Sequence, residues 1–214
     1  MEGKFLNRTE AGRRLAERLS AYRGRENAIV LGLPRGGVPV AYEVARQLGL
    51  PLDVFVVRKL GVPGYEELAM GAIASGNVSV LNEDVMRALP GSEAILEMVK
   101  AQEKIELQRR ETSYRQGRPA PDLRERVVIL VDDGLATGAT MRAAAAALRK
   151  QGVAKIVVAV PVGAPETCRE IELEVDETIC VAKPASFHGV GQFYEDFSQT
   201  TDEEVRALLG TFSE

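Results

Sequence analysis

The pair Asp132-Asp133, followed at once by Gly134-Leu135-Ala136-Thr137-Gly138-Ala139-Thr140, is the stretch of this 214-residue chain whose residue types most directly imply chemistry. Two adjacent carboxylates repel unless something positive or strongly donating faces them. A sugar diol meets that need, and so does a magnesium ion with its waters. Behind the acids, a tight Gly/Thr loop running into a helix from Ala139 offers free backbone N–H groups and the positive end of a helix dipole, which together make an anion site. The Thr137 and Thr140 hydroxyls add donors to the same anion. The two halves specify one molecule with a vicinal diol near a terminal phosphate, which describes a ribose 5-phosphate moiety. A strand-to-helix turn alone would need one capping carboxylate, whereas this segment has two, with two threonines.

Two further sets stand at similar places. Pro34-Arg35-Gly36-Gly37 and Arg58-Lys59 each end a short apolar run. Gly36 and Gly37 permit close backbone approach, while Arg35, Arg58 and Lys59 supply positive charge. Such a set fits a pyrophosphate opposite the monophosphate site. Singly, each is also what an ordinary turn or a solvent-facing basic pair looks like; their joint occurrence at strand ends is what points to a site.

The elements that must position these residues are read from apolar patterning. Ala11, Leu15, Ala16 and Leu19 mark a first helix with Thr9 as N-cap. Ala28–Leu33 reads as a strand, 38–48 as a helix and 52–57 as a second strand. From 60 to 76 the glycines, Pro63 and Tyr65-Glu66-Glu67 predict a mobile loop with a short return strand near Ala72-Ile73-Ala74. Residues 92–114 predict a long helix with Ile95, Met98, Val99, Gln102 and Ile105 along one face and a solvated polar face. Val127–Val131 is the most apolar strand, of the kind buried on both faces. A helix over 139–150, a strand over 155–160, a helix over 166–173, a strand over 177–181 and a closing helix over 202–209 follow. Strands alternating with helices predict an α/β fold, a mainly parallel twisted sheet with helices on both faces. In an open sheet of that kind ligands bind beyond the C-terminal strand ends, where all three sets fall.

Composition bounds the class. With 45% hydrophobic and 27% charged residues the chain can bury one substantial core, so residues 1–214 read as a single domain. The net charge of -4 argues against a surface that holds a nucleic-acid backbone. No signal-peptide pattern opens the sequence and no run approaches membrane-span length, so the expectation is a cytoplasmic protein without a membrane partner. Cys168 and Cys180 fit neither a disulfide framework nor a zinc spacing and read as reduced core thiols. A dinucleotide-binding oxidoreductase is excluded, because no GxGxxG follows the first strand.

Val128–Thr140 resembles the phosphoribosyl diphosphate (PRPP) signature of type I phosphoribosyltransferases. Leu33-Pro34-Arg35-Gly36-Gly37 is similar to that family's pyrophosphate loop, which carries a non-proline cis peptide; the resemblance makes Pro34–Arg35 the bond in question. Val57-Arg58-Lys59-Leu60-Gly61 resembles the entry to the family's flexible catalytic loop, so 60–76 would be a lid. Residues 183–197 resemble the hood over the acceptor base, with Phe187, Phe193 and Tyr194 as candidate base-lining residues, and 92–114 would be an inserted helix. The overall pattern looks most like bacterial proteins known only as predicted phosphoribosyltransferases.

The resemblance implies transfer of the 5-phosphoribosyl group from PRPP to a nitrogenous base or related nucleophile, with release of pyrophosphate, in nucleotide salvage. Residues 132–140 with 34–37 would bind PRPP, and Asp132 and Asp133 would face magnesium. Arg35, Arg58 and Lys59 would take the charge growing on the leaving pyrophosphate. Hypoxanthine-type members carry an Asp where Ala136 stands, and a methyl group neither accepts nor donates a proton. Glu66 and Glu67 are then the nearest candidates for a general acid or base, Glu67 being taken as catalytic, against a reading as solvated loop carboxylates. His188 reads as a surface histidine. The alternative function is a non-catalytic PRPP-binding regulator. The acceptor and the oligomeric state, a homo-oligomer included, are open at the level of sequence.

Overall fold

The structure is a computed structural model that describes residues 3–212, and the side chains of these except Glu66 and Glu67. Five strands form a parallel sheet: β1 (Ala28–Gly32), β2 (Leu52–Val54), β6 (Val127–Val131), β7 (Lys155–Val162) and β8 (Glu177–Ala182), in the order β2-β1-β6-β7-β8. The central strand β6 is buried throughout, and its alternation divides the core. Val127, Ile129 and Val131 join one apolar cluster while Val128 and Leu130 join the other, as a period of two requires. Helices α1 (Arg8–Arg18), α2 (Gly37–Leu48) and α7 (Asp202–Gly210) supply the first cluster, and α5 (Ala139–Lys150) and α6 (Pro165–Glu172) the second. The predicted α/β architecture stands.

Three further strands, β3 (Val57–Val62), β4 (Tyr65–Ala74) and β5 (Val78–Leu81), form a separate antiparallel sheet that lies between α4 (Ser92–Arg115) and α5. A short helix α3 (Glu83–Ala88) follows it; neither α3 nor β5 is expected from the patterning. Here the expectation of a loop over 60–76 is corrected. Val62 pairs with Tyr65 across Pro63-Gly64, and Gly64 has φ +81. That is the Pro-Gly turn chemistry of a hairpin, which the density of glycine obscured. The single strand expected over 52–57 is likewise divided. Phe55 N–H still donates to Gly32 O at 3.0 Å, but the chain then leaves the first sheet and Val57 begins the second.

Two smaller corrections concern helices. Asn7, not Thr9, caps α1, its side chain accepting from Glu10 N–H. On α4 the buried residues are Leu96, Val99, Leu107, Tyr114 and Arg115, whereas Met98 and Ile105 are 52% and 70% exposed. The helix is held by the antiparallel sheet and α7, and a single-face pattern did not reveal which side they cover. Cys168 and Cys180 are buried free thiols with Sγ atoms 2.7 Å apart. The N-terminal segment joins the hood: Phe5 N–H donates to Phe193 O and Glu195 N–H to Phe5 O, each at 2.8 Å.

Candidate functional site

Asp132 and Asp133 stand at the C-terminal end of β6, and the Pro34-Arg35-Gly36-Gly37 turn stands at the end of the adjacent β1. The turn is tied to β6 by Leu33 N–H donating to Val131 O at 2.9 Å. The Pro34–Arg35 peptide is cis, as the resemblance implied. A Cβ on Gly36 would overlap the Asp133 carboxylate, and one on Gly37 would lie 2.7 Å from Val131 O and 2.9 Å from the Asp132 Cα. The two glycines thus let the turn close directly over the acidic pair.

The acids are held from both sides. Asp133 N–H donates to Asp132 Oδ1 at 2.8 Å. Burial pushes the Asp132 carboxyl well above its ordinary range, and the neighbouring Asp133 pushes it the same way. Burial also raises Asp133, against the pull of Arg8. Arg8, at the start of α1, donates from Nε at 2.9 Å and lies 2.8 Å away through Nη2, both on Asp133 Oδ2. Its Nη1 donates to Ser198 O at 2.7 Å, and its guanidinium lies 4.0 Å from the Phe197 ring centre. Sequence reasoning missed Arg8, because nothing local to residue 8 announces a partner 125 positions away.

The loop after the acids is braced from beneath. Leu135 N–H donates to Val162 O and Ala164 N–H to Leu135 O, each at 2.9 Å, and the Thr167 hydroxyl donates to Ala136 O at 2.6 Å. Gly138, at φ +74, opens α5 with no side chain capping it, so the first-turn N–H groups keep their donors for another acceptor. Ala136, Thr137, Ala139 and Thr140 are exposed at this end. Gly134 lies so close to Val190 that any Cβ would overlap it, which brings the hood down onto the loop.

The expected cations do not converge. Arg58 and Lys59 are successive strand residues and therefore face opposite ways. Arg58 donates from Nε to Glu103 of α4 at 2.6 Å, while Lys59 lines a cavity of about 530 Å³ with Ala139 and Thr140 on the α5 side. The structure therefore places the two expected pyrophosphate cations against different neighbours. Arg35 remains in the turn itself, with Nη1 3.7 Å from Asp202, whose Oδ1 also accepts from the Tyr114 hydroxyl at 2.8 Å. Glu67, the expected general acid or base, lies in β4 with its side chain outside the described residues.

The base-lining residues divide in the same manner. Phe187 and Phe193 stack on each other, with ring centres 5.4 Å apart. Tyr194 is buried, donates to Asp133 O at 2.6 Å, and packs on Phe5 and Phe197. It supports the acidic strand end rather than an open pocket wall, which corrects its expected place; burial raises its phenol. His188 is exposed beside Ser186.

Among the described residues no group of three or more acidic, His or Cys side chains could hold a metal ion. Asp132 and Asp133 are the acidic pair at this strand end that would face an ion, and Asp133 already carries the Arg8 guanidinium. Nor, among the described residues, is any helix long and apolar enough to cross a membrane.

Known proteins are similar to this chain in both sequence and fold. The family described as phosphoribosyl transferase domain matches residues 4–198. Proteins from two strains of Mycobacterium tuberculosis, provisionally named as phosphoribosyl transferases, are each 50% identical over 205 residues. That match covers 96% of this chain but 46% of theirs, so the chain spans about half the length of these curated relatives. A crystal structure of the protein TT1426 from Thermus thermophilus superposes with a TM-score of 0.88 at 43% identity, covering 99% of this chain and 100% of that one.

Proposed function

The chain belongs to the phosphoribosyl transferase domain family, and on that footing we propose that it transfers the 5-phosphoribosyl group from PRPP to a nitrogenous base or related nucleophile in the cytoplasm, releasing pyrophosphate. The observation that carries the proposal is the closure of the Gly36-Gly37 turn over Asp132 and Asp133, beside the uncapped start of α5. The acids accept from the ribose diol. The N–H groups of 136–140, with the Thr137 and Thr140 hydroxyls, take the monophosphate. Gly36, Gly37 and Arg35 take the pyrophosphate, and magnesium, arriving with the substrate and faced by Asp132 and Asp133, would offset the charge that grows on the leaving group. Positioning and fixed charge supply most of the rate, since the bond to pyrophosphate breaks as positive charge develops on the sugar.

Lys59, which lines one cavity with Thr140, serves the α5 side in this scheme, and Arg58 reaches the substrate only by leaving Glu103. The β3–β4 hairpin is the lid, with exposed Tyr65 and Leu68 near its tip. The test is pyrophosphate release from PRPP and magnesium across a panel of bases. Turnover with one of them supports the proposal, and tight PRPP binding with no turnover on any overturns it. That second result is what a PRPP-binding regulator gives. What favours a regulator is the hood, where Phe187 and Phe193 occupy each other's faces and Tyr194 is committed to Asp133.

A further inference from the structure

Arg8 is the first residue of α1, where a positive charge opposes the helix dipole. Local helix energetics therefore disfavour it. What holds it is long-range: Asp133 on one side, the Ser198 carbonyl on another and the Phe197 ring over its face. Its side chain is only 12% exposed. The segment that delivers it is fixed as well. Phe5 and Leu6 pair with the hood through Phe193, Glu195 and Asp196, and Asn7 caps the helix immediately before Arg8.

Both guanidinium contacts fall on Asp133 Oδ2, so the carboxylate is oriented through one oxygen. We propose that Arg8 is a positioning residue for the ribose site, a permanent cation on Asp133 that presents this carboxylate to the ribose diol and lets a ribose phosphate bind without a metal ion. The inference rests on the reading of this site as one for ribose phosphates. Arg suits the task because its charge is constant and its donors lie in one plane, so it fixes a carboxylate in orientation as well as in charge. Its consequence is that the protein's own cation, already seated on Asp133, serves the sugar half of the ligand.

The experiment is calorimetric titration of ribose 5-phosphate and 2-deoxyribose 5-phosphate, each in EDTA and in magnesium, into the wild-type chain, Arg8→Ala and Arg8→Lys. The wild-type chain should bind ribose 5-phosphate equally in both buffers and prefer it over the deoxy sugar. Arg8→Ala should lose roughly tenfold in affinity for ribose 5-phosphate, the size of a charge-assisted contact, while its affinity for the deoxy sugar stays nearly constant. Arg8→Lys should recover part of the preference. A merely structural role would instead weaken both sugars together. Arg8→Ala or Arg8→Lys retaining full preference, or wild-type binding that requires magnesium, would overturn the inference while leaving the site's identity intact. Binding of neither sugar phosphate by the wild-type chain, with or without magnesium, would overturn both. Should Arg8→Ala not fold, the preference measured with Arg8→Lys decides.

Discussion

A methyl group at Gly36 would overlap the end of a side chain, the Asp133 carboxylate, whereas one at Gly37 would meet Val131 O and the Asp132 Cα. Side chains can turn aside and paired strands cannot. Gly36→Ala should therefore lose less stability than Gly37→Ala, the loss coming from the disturbed Arg8–Asp133 pair, and should bind ribose 5-phosphate poorly, because it displaces the carboxylate proposed to face the sugar. Gly37→Ala should lose about 1–3 kcal/mol of stability. Urea unfolding and calorimetry on the two variants separate these outcomes; equal stabilities would mean the turn yields at both positions. Thr140→Ala, exposed at the start of α5, should weaken the same ligand and leave the unfolding midpoint unchanged.

At the scale of elements, two polar links outside the site tie the framework together. Arg115, at the end of α4, sits with Nε 2.9 Å from Asp53 of β2, and its Nη2 donates to Val54 O at 3.2 Å. Both side chains are buried. Arg115→Met should cost about 3–5 kcal/mol, since it leaves Asp53 buried without its cation, and denaturant midpoints measure this. The second link joins Tyr22, Lys155 of β7 and Glu177 of β8, with Lys155 Nζ 2.7 Å from both partners. Burial alone would raise the Glu177 carboxyl, but the bonds from Lys155 and Tyr22 hold it below its ordinary value. A folded pKa below the unfolded one adds stability that is present above the unfolded pKa and lost as pH falls through the folded one. Glu177→Gln should accordingly cost about 0.5–1 kcal/mol at neutral pH, as a partly exposed pair does, and nothing once both states are protonated. Unfolding curves taken from pH 7 down to pH 3, roughly a unit below the ordinary Glu pKa, trace the difference.

For the whole molecule, the join between the N-terminal segment and the hood has the widest reach. Phe5 is buried, pairs with residues of the hood and packs its ring 5.5 Å from Tyr194, which in turn donates to Asp133 O. Phe5→Ala should cost about 3–5 kcal/mol and speed hydrogen exchange across residues 193–196 before it affects β6. Uniform exchange at both places would mean that the hood is held independently of the N-terminus. Much of the framework was legible in the sequence: the apolar run at 127–131, the alanine-rich helix from Ala139 and the acidic pair between them fall where patterning put them. The hairpin over 57–74 was not, because glycine-rich composition outweighed the Pro63-Gly64 turn within it. The outward side of α4 was not either, because its burial is set by elements that come both before and after it in the chain. Which groups end β1 and β6 could be read from the residues alone, since strand periodicity and the loop that follows are local properties of the backbone. Which charges meet depends on how the elements pack. Arg8 reaches Asp133 and Arg58 turns to Glu103, because ion pairing follows distances created by packing and not by separation along the chain.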